Sequence, residues 1–247
     1  MVDRHIIVGG ASGIGHHLVN LILADSADEV LVVDKSKKCQ GMGSSRVQWV
    51  EADISQEINW KATLSASSKI KSLCFLVPSC KPRDPTVNEL GFTPKFIDNI
   101  SAVNTGLLRL LSAIGPNFAD NSSVVLVSSV LGDRVAVADA TLDYHVSKAV
   151  LESISRYMTI RLAPKVMVNC LSPGLIVRDE KSMLITDPAI ASAVRRATPL
   201  GRAYRQEEIA RAVWSLANGA LGCISGQTIT MDGGASALTT FSIARLV

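Results

Sequence analysis

The sequence predicts an α/β fold of the doubly wound type, a parallel sheet of about seven strands with helices on both faces. Three observations carry that reading. Short, unbroken apolar runs alternate with longer runs of helical period over almost all of the 247 residues, as expected of parallel strands covered on both sides. A glycine turn, Gly9-Gly10-Ala11-Ser12-Gly13-Ile14-Gly15, joins the first strand-like run to the first helix-like run. No linker, internal repeat or low-complexity tract interrupts the chain, so residues 1–247 read as one domain.

The elements follow in order. His5-Ile6-Ile7-Val8 is the first strand, and residues 13–24 form an amphipathic helix after the glycine turn. Further strands are expected at 29–33, 47–51, 73–77, 124–128, 167–171 and 227–231. Further helices are expected at 60–67, 95–114, 144–162 and 206–217. Two longer irregular stretches follow the fourth and sixth strands. Residues 78–94 are rich in proline, and residues 172–199 contain a short helical run at 189–196. Ligands of open α/β sheets bind beyond the C-terminal ends of the strands. The second stretch, about 175–200, is therefore read as a substrate lid.

Composition excludes several function classes. The net charge of +3 is too small to argue for a nucleic-acid or membrane-surface partner. The densest basic cluster, Lys35, Lys37 and Lys38, has no interleaved aromatic residue and reads as a solvated loop. The N-terminus lacks a signal-peptide pattern, and no run approaches the ~18 apolar residues of a membrane span. A cytoplasmic protein is expected. The five cysteines form no CxxC pair, and Cys74 and Cys170 lie in apolar strands, which favours reduced structural thiols. The four histidines show no metal-ligand spacing, so no metal is expected.

The glycine turn carries the most specific local signal. Amides at a helix N-terminus and the positive end of the helix dipole attract an anion. Glycine is needed where a Cβ would block close backbone approach. The spacing, Gly9-x-x-x-Gly13-x-Gly15, differs from the commoner dinucleotide fingerprint but works in the same way. Asp34 closes the second strand, where an acid hydrogen-bonds the adenosine ribose and repels a 2′-phosphate; this favours NAD over NADP. The same residue also reads as a surface turn aspartate. Asp53, followed by Ile54, leaves the third strand and either faces the adenine or caps a turn.

Tyr144 and Lys148 stand four apart on one helix face. Tyrosine is a poor base at its ordinary pKa of about 10. A nearby ammonium, helped by a cationic oxidised nicotinamide, should lower that value. The pair then suits acid–base chemistry near neutral pH. Ser129 ends the fifth strand on the side of the glycine turn and is placed to hydrogen-bond a substrate hydroxyl or carbonyl. Asn104 sits in mid-helix, where a buried amide needs a partner such as a water or a loop carbonyl.

Taken together, these residues resemble the short-chain dehydrogenase/reductase family over nearly the whole chain. The glycine spacing matches its cofactor loop, and Asn104, Ser129, Tyr144 and Lys148 match its catalytic tetrad. Asn169-Cys170-Leu171-Ser172-Pro173-Gly174 matches its motif after the sixth strand. Pro199-Leu200-Gly201-Arg202, Ile224-Ser225-Gly226-Gln227-Thr228 and Asp232-Gly233-Gly234 match its C-terminal signatures. The resemblance implies a Rossmann-like fold and NAD(H)-dependent hydride transfer with a small secondary alcohol or ketone. Tyr144 would exchange the alcohol proton, Ser129 would orient the substrate oxygen, and Lys148 would bind the nicotinamide ribose. Asn104 would hold a relay water. Cofactor contacts would come from Gly9, Ser12, Gly13, Ile14, Gly15, Asp34, Asp53, Ile54, Tyr144, Lys148, Pro173, Gly174 and Ile176. Ser12 stands where NADP-binding members carry a basic residue. A homotetramer or homodimer is implied, built through helices 95–114 and 144–162 and the last strand. The apolar tail 235–247 is expected at a subunit interface.

The chain also departs from the pattern. Val8 replaces a usual threonine. Val77-Pro78-Ser79-Cys80 stands in place of Asn-Asn-Ala-Gly, and the loop 132–143 is two residues longer than usual. The threonine expected after Pro173-Gly174 is missing. Arg178, a little further on, could contact the cofactor pyrophosphate or an anionic substrate group. These changes leave open an alternative, a non-catalytic nucleotide sensor or scaffold that kept the fold. The complete tetrad argues against it.

Overall fold

The computed structural model describes residues 3–36, 43–63, 69–78, 80, 82, 84–136 and 140–238. The chain runs β1 (Arg4–Val8), α1 (Gly13–Asp25), β2 (Glu29–Asp34), β3 (Val47–Glu51), α2 (Trp60–Thr63) and β4 (Ile70–Phe75). It continues through α3 (Phe96–Ile114), β5 (Phe118–Val127), α4 (Leu142–Leu162), β6 (Val166–Pro173) and β7 (Ile176–Val177). The last part is α5 (Met183–Thr186), α6 (Pro188–Ala197), β8 (Tyr204–Arg205), α7 (Gln206–Ala217) and β9 (Thr228–Met231). A parallel sheet of seven strands has the order β3-β2-β1-β4-β5-β6-β9. β7 and β8 form a separate two-stranded parallel pair.

The chain steps outward from β1 to β3, then returns to lay β4 on the other side of β1. That reversal opens a crevice at the C-terminal ends of β1 and β4, the expected ligand position in such sheets. Strand side chains alternate between two cores. Ile6, Val8, Leu31 and Val33 pack with Leu107 and Leu110 of α3 and Leu151 of α4. Ile7, Val30 and Val32 pack with Leu18 and Ile22 of α1 and Val213 and Trp214 of α7. Burying each such side chain contributes about 2 kcal/mol, so the apolar strands fasten both helical layers at once.

Several boundaries differ from the sequence reading, each for a physical reason. β5 begins at Phe118 rather than 124, because Asp120-Asn121-Ser122-Ser123 hides a strand whose order comes from backbone pairing. Ser122 pairs with Val166 and donates its N–H to the Lys165 carbonyl at 3.2 Å. β4 begins at Ile70 and stops at Phe75 rather than 77. Leu76 N–H makes one more bond, to the Val8 carbonyl at 2.9 Å, and Pro78 has no N–H to continue the ladder. β7 and β8, two residues each, are too short to leave a periodic signal.

Lys37, Lys38, Cys39, residues 64–67 of the helix expected over 60–67, residues 137–139 ahead of Tyr144 and the tail 239–247 lie outside the described residues. Among the described residues no helix is long and apolar enough to cross a membrane. Nor do His, Cys, Asp and Glu among them gather into a group that could hold a metal ion.

Candidate active site

Most of the expected site residues lie at the C-terminal edge of the sheet. Gly9 leaves β1 with its N–H on the Val33 carbonyl at 2.8 Å. Ser12 is the N-cap of α1, and Gly13, Ile14 and Gly15 form its first turn. The turn closes so tightly that a Cβ on Gly15 would stand 2.0 Å from the Gly9 carbonyl oxygen. The Ser12 side chain makes no capping bond, so it does not compete for the first-turn amides that an anion would use. This is a cradle that fits a dinucleotide pyrophosphate.

Asp34 braces the cradle. Its Oδ2 accepts from Ala11 N–H and its Oδ1 from Ser36 N–H, each at 2.9 Å. A carboxylate has about four lone-pair sites, so this fixed anion keeps capacity for ribose hydroxyls. Asp53 takes the turn-capping role that the sequence left open. Its Oδ1 accepts the Ser55 N–H at 2.9 Å and the Ser55 hydroxyl at 2.7 Å. The backbone bond from Ser55 is the main cause holding the Asp53 carboxyl below the usual aspartate range. Ile54 beside it is buried. Its carbonyl packs against α3 at Gly106, where a Cβ would lie only 1.8 Å from the oxygen.

The chemical residues meet around α4. Thr141 caps this helix by accepting the Tyr144 N–H at 3.3 Å. Lys148 is buried; its Nζ donates to the Val127 carbonyl at 3.1 Å and lies 5.7 Å from the centre of the Tyr144 ring. Burial pushes the Lys148 pKa down to about 8. Tyr144 is pushed up, chiefly by burial, while the Ser129 hydroxyl and the Arg178 guanidinium pull it back. The expectation of a lowered Tyr144 is therefore corrected for the chain by itself. Burial penalises the charged form of phenol and ammonium alike.

Ser129 follows β5 and opens a short 3-10 turn, its Oγ accepting from Leu131 N–H at 3.3 Å. Asn104, buried in α3, donates its amide to the Ile100 carbonyl at 2.6 Å. Its Oδ1 is buried with no partner among the described residues, an acceptor suited to a water. β6 ends at Pro173, and Gly174 N–H donates to the Met231 carbonyl at 2.9 Å. Ile176 lies in β7. Arg178 is exposed on a cleft of about 660 Å³ shared with His17, Arg195, Glu207 and Glu208. Two of the charges there are matched locally: Arg202 reaches Glu208 at 2.7 Å and His17 reaches Glu207 at 3.4 Å.

A family model described as enoyl-(acyl carrier protein) reductase matches residues 9–236. The chain belongs to the short-chain dehydrogenase/reductase family. It is thus an oxidoreductase of a family that uses nicotinamide cofactors. It is 28% identical over 244 residues to the granaticin polyketide synthase putative ketoacyl reductase 2 of Streptomyces violaceoruber, covering 94% of this chain and 96% of that one. It is 28% identical over 250 residues to cis-4-hydroxycyclohexanecarboxylate dehydrogenase of Sinomonas cyclohexanicum, with 94% and 96% covered. Among solved structures, a short chain dehydrogenase family protein from Francisella tularensis superposes with a TM-score of 0.82 at 18% identity, covering 96% of this chain and 100% of that chain. 4-Hydroxyisoleucine dehydrogenase complexed with NADH superposes with a TM-score of 0.79 at 19% identity, over the same shares.

In this short-chain dehydrogenase/reductase the candidate site is flanked by residues to which the sequence reading gave no role. Asp143, fully buried, accepts Thr93 N–H and Asn99 Nδ2, each at 3.0 Å, and so ties the stretch after β4 to α4. Its signal was available, as an acid in the first turn behind a threonine cap. His145 pins the lengthened loop: Nε2 accepts Ala136 N–H at 3.1 Å and Nδ1 meets the Thr141 carbonyl at 2.8 Å. A neutral ring with its proton on Nδ1 satisfies both bonds. Cys80, in the replaced Asn-Asn-Ala-Gly segment, is half-buried, and its field reaches both Tyr144 and Lys148. Burial raises its thiol pKa.

Proposed function

We propose that the protein is an NAD(H)-dependent dehydrogenase or ketoreductase of small secondary alcohols and ketones. The observation that carries this reading is the buried Lys148 ammonium 5.7 Å from the Tyr144 ring, with the Ser129 hydroxyl acting on the same phenol. Bound NAD(H) supplies the carbon that accepts or donates the hydride. Tyr144 takes the alcohol proton in oxidation and returns it in reduction. Ser129 orients the substrate oxygen and stabilises the developing carbonyl through its hydroxyl. Lys148 holds the nicotinamide ribose and favours the Tyr144 phenolate. Asn104, with its orphan Oδ1, holds a water beside the pair.

Gly9, Ser12, Gly13, Ile14 and Gly15 take the pyrophosphate, and Asp53, whose turn cap uses Oδ1, flanks the adenine together with Ile54. Pro173, Gly174 and Ile176 line the nicotinamide side. Asp34 selects NAD, because a fixed carboxylate repels a 2′-phosphate. The NADH bound in the 4-hydroxyisoleucine dehydrogenase structure is in keeping with that choice. Arg178 contacts either the pyrophosphate or an anionic substrate group. The substrate is the better assignment, because the Arg178 field reaches the Tyr144 phenol. The cis-4-hydroxycyclohexanecarboxylate dehydrogenase is named for such a substrate, a secondary alcohol bearing a carboxylate. The outer faces of α3 and α4 expose Ile97, Tyr157 and Ile160. They are suited to joining copies into a homodimer or homotetramer.

The raised Tyr144 phenol is the observation that favours a second reading, a nucleotide sensor without turnover. Absorbance of NADH during incubation with a panel of secondary alcohols, neutral and carboxylated, separates the two. Turnover abolished by Tyr144→Phe is expected. Turnover that survives Tyr144→Phe overturns the tyrosine mechanism. Tight NADH binding without turnover on any alcohol favours the sensor.

A further inference from the structure

Glu152 is a buried acid that the mechanism above does not use. It is 7% exposed and lies one helical turn beyond Lys148. Tyr144, Lys148, Glu152 and Arg156 recur at four-residue spacing, so they share one face of α4. The surroundings of Glu152 form a built pocket. From β6, the Ser172 hydroxyl donates to its Oε1 at 3.4 Å. Just after β5, Ser128 stands beside the same carboxyl and donates its hydroxyl to the Lys148 carbonyl at 3.0 Å. Gly132 roofs the group: a Cβ there would come within 2.8 Å of Glu152 Oε1 and 3.1 Å of the Lys148 carbonyl carbon. Arg156, Arg134 and Asp133 line with it a cleft of about 280 Å³.

Among the described residues no lysine or arginine nitrogen comes within 4 Å of this carboxylate, so it is not half of a surface staple. An acid buried this far is costly unless a cation answers it. Burial, joined by the Asp133 charge, raises its pKa, while Arg156 and the Ser172 hydroxyl pull it back. The groups acting on Lys148 are the thiols of Cys170 on β6 and Cys80 after β4, and the Glu152 carboxylate. Burial pushes the Cys170 thiol up to about 12 and raises Cys80 as well. Both thiols are therefore neutral where Lys148, at about 8, exchanges its proton. Of the three, Glu152 alone is a carboxylate.

We propose that Glu152 is a positioning residue that keeps Lys148 in its ammonium form through the body of α4. The importance of that charge rests on the reading of Lys148 as part of the catalytic site; the electrostatic coupling itself does not. Without Glu152 the lysine loses its proton at lower pH, and a neutral lysine no longer favours the Tyr144 phenolate. The acid limb of alcohol oxidation then moves to higher pH.

The test is a titration of the ligand-free protein by NMR of the lysine ¹³Cε resonances, with Lys148 assigned by its loss in Lys148→Arg. Glu152→Gln should lower the Lys148 pKa by about one unit, while Glu152→Asp, which keeps the charge, should hold it near the wild-type value. In kinetics, Glu152→Gln should raise the acid-limb pKa of kcat/KM, and Glu152→Asp should largely restore it. A folded Glu152→Gln protein whose Lys148 titrates as wild type overturns the proposal. The wild-type protein offers a check that needs no acid variant. Its Lys148 resonance should show a second, acidic inflection as Glu152 protonates, and absence of that inflection also overturns the proposal. If no alcohol is turned over, the functional reading fails while the titration still decides this one.

Discussion

The Lys148 ammonium donates to the Val127 main-chain carbonyl across 3.1 Å, at the C-terminal end of β5. The partner is neutral, and burial leaves the lysine at about 8. Below that pH the lysine is cationic; above it the charge is lost. NADH affinity should therefore weaken about 5-fold between pH 7 and pH 9.5, since a charge-assisted hydrogen bond is roughly twice as strong as a neutral one. Fluorescence titration of NADH at both pH values checks this. Lys148→Met should bind weakly at both, and a wild-type affinity independent of pH would count against a role for the ammonium in cofactor binding.

Asp34→Asn keeps an oxygen for the Ala11 N–H that the carboxylate now accepts at 2.9 Å, yet removes the negative charge. The ratio of NAD to NADP efficiency should fall about 10-fold or more, because like-charge contact costs on the order of several kcal/mol. Steady-state kinetics with both cofactors measures it. An unchanged ratio would mean that another residue sets the preference.

Arg178→Ala should raise KM for a carboxylated secondary alcohol about 10- to 100-fold, the worth of a hydrogen bond to a charged group. KM for a neutral alcohol and Kd for NADH should move little. A weaker NADH Kd with substrate KM unchanged would assign Arg178 to the cofactor pyrophosphate.

Gly106→Ala drives a Cβ into the Ile54 carbonyl, 1.8 Å away by geometry. α3 and the turn after β3 must move apart, costing about 3 kcal/mol. Gly115, with φ −47° and nothing within 4 Å of an added Cβ, provides the contrast: Gly115→Ala should be neutral or slightly stabilising. Urea midpoints of the two variants decide the point, and equal midpoints would refute the close approach.

Much of the fold was legible in the chain because burial on both faces writes itself as apolar runs. β1, β2 and β3 are such runs. The polar start of β5 was not legible, since Ser122 is ordered by pairing with Val166 and not by its own side chain. Asn104, Ser129, Tyr144 and Lys148 were singled out by order and spacing alone. The electrostatics were not. Whether Tyr144 rises or falls depends on its burial and on Ser129, Cys80 and Arg178, none of which is local to α4. Glu152 was visible as a residue at four-residue spacing from Lys148, but its burial beneath Gly132 and beside Ser172 is a property of the packed molecule.

The short pairing of Ile176–Val177 with Tyr204–Arg205 reaches further than its size suggests. It ties the two ends of residues 178–203 together, so this segment is a closed loop hinged at one seam. The entropy of bringing distant chain ends together is already met in the fold. A substrate that gathers α5 and α6 over the cleft then has only local order to impose. Affinity should thus depend less on the length of this segment than on the integrity of its seam.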